Sequence, residues 1–167
     1  LLDFDPGPGE DKRFGQSGEL FVCKYTSDGH YLWTRTVHTK ESHLGYSIDA
    51  SRTGALMISG YFKENVDFDP TTGTDEHRSA GDRDAFISLW TSDGDYLWTA
   101  TWGGIGWDTA SAAFEGGGTI IVKGGFSETI DFDPGTGEDF RTSNGGLDAY
   151  VGRLTGEGEY QWTQTWG

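Results

Sequence analysis

The quartet Asp-Phe-Asp-Pro stands at 3–6, 67–70 and 131–134, a spacing of 64 residues both times. A fixed period in this range makes a chain an array of one supersecondary unit, because such a unit buries its apolar face only against a neighbour. The 167 residues therefore hold about two and a half units, expected at 1–45, 46–107 and 108–167. The chain opens inside a unit at Leu1 and reaches the close of another at Gly167, which reads as a processed form, a fragment or part of something longer.

Strand signals repeat with the same period. In the second unit, 46–51 and 55–62 are short β-rich runs joined by Arg52-Thr53-Gly54, and a long loop over 63–83 carries the acidic quartet. Residues 84–90 and 95–102 then form a hairpin across Thr91-Ser92-Asp93-Gly94, Asp-Gly between β-rich runs being a strong turn signal. The third unit repeats the order at 109–114, 118–126, 148–154 and 159–166, and the first supplies only 19–25 and 30–37. Alternation along the last strand puts Tyr31, Trp33 and Val37 on one face, as it does Tyr96, Trp98 and Trp102, and Tyr160, Trp162 and Trp166. Threonines occupy the other face. A stripe of this kind packs sheet on sheet, so Trp98 and Trp162 are expected to be buried; a ligand platform is the alternative. Four antiparallel strands per repeat is the pattern of a propeller blade, so the expected fold is all-β, in tandem four-stranded antiparallel blades.

The motifs carry a resemblance. Gly81 with Asp84-Ala85-Phe86, Asp148-Ala149-Tyr150, Thr91-Ser92-Asp93-Gly94, Tyr96-Leu97-Trp98 and Thr101-Trp102-Gly103-Gly104 are similar to the bacterial β-propeller repeat family SBBP. The Asp-Phe-Asp-Pro-Gly variant resembles repeats in large surface proteins of planctomycetes and related bacteria. The first unit departs from the pattern at Gly18-Glu19-Leu20-Phe21. The resemblance implies a blade and says little about activity.

Aligned on the quartet, Asp3, Asp67 and Asp131 hold position one of the loop. Asp5, Asp69 and Asp133 hold position three, and Asp11, Asp75 and Asp139 hold position nine. Calcium takes about six to eight oxygen ligands, and carboxylates at these positions can converge on one ion. Gly9, Gly73 and Gly137 at position seven would fold the loop back. The loop is not an EF-hand, magnesium favours strict octahedral geometry, and zinc would want Cys or His. The alternative is that each Asp caps its own turn; three uncompensated carboxylates per loop would repel one another, which favours Ca2+. Glu19, Asp84 and Asp148 repeat at the start of the third strand, where they reach the ion or cap a neighbouring strand.

Catalytic candidates fail against the repeat. His77 stands where Arg13 and Arg141 stand, His30 where Asp95 and Glu159 do, and His43 opposite Trp107, while His38 has no counterpart. Cys23 matches Ser88 and Gly152, a place for small residues. Gly103–Gly106 and Glu115–Gly118 lack the Lys-Ser or Lys-Thr ending of a phosphate loop. The single cysteine excludes an internal disulfide, and no apolar run is long enough for a transmembrane helix. A net charge of −15 disfavours nucleic acid and anionic membranes. The expected function is that of a calcium-stabilised extracellular or cell-surface structural module, not an enzyme. Its expected partners are other copies or the rest of a longer chain. The alternative is a propeller module that binds glycan or protein.

Overall fold

The computed structural model describes residues 2–13, 19–38 and 44–167, and every regular element among them is a β-strand. The first unit supplies β1 (Leu2–Asp3), β2 (Lys12–Arg13), β3 (Leu20–Tyr25) and β4 (Tyr31–Val37). The second supplies β5 (Leu44–Ala50), β6 (Leu56–Phe62), β7 (Asn65–Asp67), β8 (Glu76–Arg78), β9 (Asp84–Trp90) and β10 (Tyr96–Trp102). The third repeats that order as β11 (Ser111–Glu115), β12 (Thr119–Phe126), β13 (Thr129–Asp131), β14 (Phe140–Thr142), β15 (Asp148–Thr155) and β16 (Tyr160–Trp166).

Among the described residues two four-stranded antiparallel sheets result, ordered β5-β6-β9-β10 and β11-β12-β15-β16, and β3 pairs with β4 in a two-stranded sheet. The hairpin turns close as their sequence predicts, with Gly29, Gly94 and Gly158 each at positive φ. All ten strands expected from the sequence are present, their ends shifted by at most two residues. The stretch 63–83 differs from its expectation as an unbroken loop. It carries the antiparallel ribbon β7-β8, and β1-β2 and β13-β14 are its counterparts. Runs of two or three residues are too short to display alternation, so nothing in the sequence marks them as strands.

Packing follows from the two faces of the central strands. Every residue of β9 is buried. Phe86 and Trp90 join Val22 and Val37 of the first unit in one core, together with Ile58, Phe62, Val66 and Phe68. Ala85, Ile87 and Leu89 join Ala112, Ile120, Val122, Phe126, Phe132 and Tyr150 of the third unit in another. The second sheet is thus covered on both faces. By contrast, β15 alternates strictly between buried and half-buried residues, because only its Asp148, Tyr150, Gly152 and Leu154 face is covered. The inter-sheet contact is also polar. The edge strand β11 turns N–H groups toward the preceding sheet, from Ala112 to Ser59 Oγ at 2.9 Å and from Phe114 to Asp49 Oδ2 at 2.8 Å.

The expected aromatic stripe is broken by a bulge in each unit. Tyr96 pairs with Trp90 but Trp98 pairs with Leu89, so Leu97 is extra. The same shift occurs at Tyr31 and Tyr160. An extra residue flips the side chain before it to the other face, and Tyr96 therefore leaves the stripe for the threonine face. Trp98 packs against the third unit but is only part-buried, short of the full burial expected, and Trp102 is buried there. Trp162 is not buried: 38% of it is exposed, and 55% of Trp166, because no fourth sheet covers them among the described residues.

The same substitution should therefore cost very different amounts at equivalent positions. Trp102→Ala should lower stability by about 3–5 kcal/mol, whereas Trp166→Ala should change it by less than about 1 kcal/mol. Urea denaturation of the two variants checks this, and equal losses would contradict the packing described.

Candidate functional site

The acidic loops are the most regular polar feature of the chain, and each is closed by its own backbone. Asp67 Oδ1 accepts the N–H of Asp69 at 3.1 Å and of Asp75 at 2.8 Å, and Asp3 and Asp131 do the same in their loops. Asp69 Oδ1 accepts the N–H of Thr71 at 2.8 Å, as Asp5 and Asp133 accept those of Gly7 and Gly135. Carboxylates that take the amide two residues on form Asx-turns. The Phe of each quartet then donates its N–H across the loop to the carbonyl of position nine, at 2.9–3.1 Å. Its ring points inward: Phe68 lies 4.9 Å from Phe86 and Phe132 4.8 Å from Tyr150, centroid to centroid. Phe interrupts the acidic pattern because it anchors the loop in the inter-sheet core.

Position seven needs glycine for a reason other than the expected turn. Gly9, Gly73 and Gly137 are absent from the positive-φ residues. A Cβ on Gly73 would stand 2.1 Å from Asp69 Oδ2, and the other two loops are as tight at 2.2 Å. The glycine makes room for the carboxylate of position three.

Position nine is engaged elsewhere. The displaced tyrosine of each bulge donates its hydroxyl to this carboxylate, Tyr31 to Asp11, Tyr96 to Asp75 and Tyr160 to Asp139. A basic residue two positions on adds a second partner: Arg13 at 3.0 Å, His77 Nε2 at 2.9 Å and Arg141 at 2.9 Å. Burial, and then the hydrogen bond to the carboxylate, raise all three tyrosines above their ordinary pKa, so they remain protonated donors. Burial pushes Asp11 up, but hydrogen bonds from Arg13 and Tyr31 and the charges of Arg13 and Arg35 carry it below the usual carboxylate value.

The nine expected calcium ligands are therefore divided, positions one and three on backbone amides and position nine on tyrosine and a base. Among the described residues, no three His, Cys, Asp or Glu side chains are grouped so as to hold a metal ion. This donor set does not fit a cage of six to eight oxygens built on three carboxylates. The repulsion that favoured a cation is met here by N–H, O–H and guanidinium donors.

The other acidic repeat is structural. Asp84 Oδ2 accepts the N–H of Ala80 at 3.0 Å and Asp148 Oδ2 that of Asn144 at 2.9 Å, while Glu19 pairs with His38 at 3.0 Å. Asp84 has a neighbour that the repeat does not announce. Asp108 is fully buried, and a Cβ on Gly103 would touch both carboxylates, so the two converge beside that glycine. Burial pushes Asp108 up to about 6, aided by the charge of Asp84 and opposed by N–H bonds from Gly104 and Ser127. Burial also raises Asp84, whose Oδ1 has no hydrogen-bond partner among the described residues.

A second unrepeated cluster sits nearby. The Arg83 guanidinium lies 4.6 Å from the Tyr61 ring and 4.1 Å from the Trp107 ring, and the Trp107 indole N–H donates to Asp82. Trp107 is half exposed, and the third unit has Gly125 and Leu147 where Tyr61 and Arg83 stand. Among the remaining candidates, His30 pairs with Asp28, and the half-buried Cys23 thiol meets Thr34 Oγ1 at 3.2 Å. His43 lies outside the described residues.

Tyr96→Phe should cost about 1.5–3 kcal/mol, the value of a hydrogen bond to a charged group, with the circular dichroism spectrum unchanged. The Asp108 carboxyl has a raised folded-state pKa, so its contribution to stability is full below its ordinary value of 3.8 and is lost as pH rises through about 6. Denaturation midpoints should fall over that window, and Asp108→Asn should flatten the fall.

No family model matches this chain. It is similar to regulatory protein FlaEY of Caulobacter vibrioides, 26% identical over 143 residues, which make up 86% of this chain and 15% of that protein.

Proposed function

We propose that this chain is a structural and assembly module, a stack of propeller-type blades that belongs outside the cell or at its surface and performs no catalysis. One observation carries the reading. Equivalent side chains are buried where a neighbouring unit covers them and exposed where none does, as Trp102 at 6% and Trp166 at 55% exposure illustrate. Stability in such an array is a sum of unit and neighbour terms, which suits a spacer or scaffold. The repeated polar groups support the same reading, since the carboxylates of the acidic loops close turns and fasten the loop to the last strand. The stretch similar to FlaEY is a small part of a much longer protein, which is the setting a module of this kind would occupy.

The calcium-stabilised form of this module is the competing version of the proposal, and it rests on positions one and three, which keep two carboxylates within one turn. Hydrogen-bonded loops predict an unchanged melting temperature when a verified metal-free sample is compared with and without excess calcium. A cation bound only by the folded state would contribute about 2.7 kcal/mol at a hundredfold excess over its dissociation constant, and a shift of that size would restore the calcium-stabilised form of the module.

The glycan- or protein-binding reading is favoured by Trp107, exposed and stacked on Arg83 at a place the repeat does not dictate. A glycan array separates the two. The structural module predicts no saturable signal, and saturable binding lost in Trp107→Ala would establish the binding module instead.

A further inference from the structure

Resting on the stacked-unit reading above, we propose that the two open faces of the array dock on each other between two copies of this chain, head to tail. The head is the outer face of β3. Phe21 is 53% and Tyr25 42% exposed, whereas the residues at the same positions, Phe86 and Trp90 in β9 and Tyr150 and Leu154 in β15, are all at or below 2%. The loop anchor accompanies Phe21 as in the other units, with Phe4 at 5.1 Å between ring centroids. The head therefore presents, at Phe21 and Tyr25, the two positions that the second unit fills with Phe86 and Trp90 and the third with Tyr150 and Leu154, all buried against the preceding unit.

The tail is the outer face of the third sheet, where Trp166 is exposed beside Val151 and Ala149 of β15. An open cavity of about 330 Å3 lies there against Lys123, Ala149 and Trp166. The matching place in the second sheet, at Ser59, Ala85 and Trp102, is closed by the third unit. Trp102 Nε1 donates to the Tyr150 hydroxyl at 3.2 Å, and Ser59 accepts the Ala112 amide. Phe21 of one copy takes on Trp166 of the next the place that Tyr150 takes on Trp102 within the chain. Head and tail are different surfaces, so the contact is heterologous and either closes a ring or extends a filament.

Light scattering across a concentration series tests this with the 18.3 kDa chain. The wild type should grow in mass with concentration, while Phe21→Asp and Trp166→Asp should each stay monomeric alone. Mixed in equal amounts, the two variants retain one sound head and one sound tail between them. They should form a dimer of twice the monomer mass and nothing larger. Should either variant lose its native circular dichroism spectrum, Tyr25→Asp at the head or Val151→Asp at the tail serves in its place. A wild type that stays monomeric throughout, or a mixture without a dimer, overturns the docking of a second copy and leaves these faces to other repeats of a longer chain. In that event a strongly destabilised Trp102→Ala would still uphold the stacked-unit reading, and a Trp102→Ala as stable as wild type would bring down both.

Discussion

Coverage of each sheet by its neighbour governs this structure. An isolated four-stranded sheet leaves two broad faces in water, and a single hairpin is marginal alone. In the second unit both faces are covered, and β9 is buried from end to end. Its Phe86 side needs the first unit and its Ile87 side needs the third. Stability here is shared between units, and the outermost faces expose Phe21, Tyr25 and Trp166 at positions that are buried in the second unit.

The β-bulge in the last strand links that packing to the polar chemistry. One extra residue turns Tyr96 away from the third unit, toward the first-unit contact and onto Asp75, while Trp102 stays buried and Trp98 part-buried on the third-unit side. The quartet works in the same divided manner, its aspartates closing turns and its phenylalanine filling the core beside Phe86 or Tyr150. Loop, ribbon and sheet are consequently held as one unit, with the loop carboxylates matched to donors and the quartet phenylalanines to ring neighbours.

Much of the architecture was legible in the sequence because it is periodic. Alternation and the Asp-Gly turns of the first two units, carried into the third by the 64-residue period, located all ten sheet strands. The acidic loop was located but its chemistry was not. Spacing shows that Asp67, Asp69 and Asp75 share a loop; it does not show that Asp75 faces a tyrosine 21 residues away. That partnership depends on a bulge at Leu97, and strict alternation conceals a bulge by assuming there is none. The recurrence of Tyr two residues before each Trp was the available signal. Asp108 and the Arg83–Trp107 stack had no signal of this kind, because neither recurs.

The most direct test extends the array by one unit, adding a second copy of residues 104–167 after Gly167. If neighbour coverage is the stabilising term, Trp166 becomes buried, its fluorescence shifts to shorter wavelength, and the melting temperature rises above that of the 167-residue chain. An extended chain with an unchanged melting temperature and a still-exposed Trp166 would contradict the account.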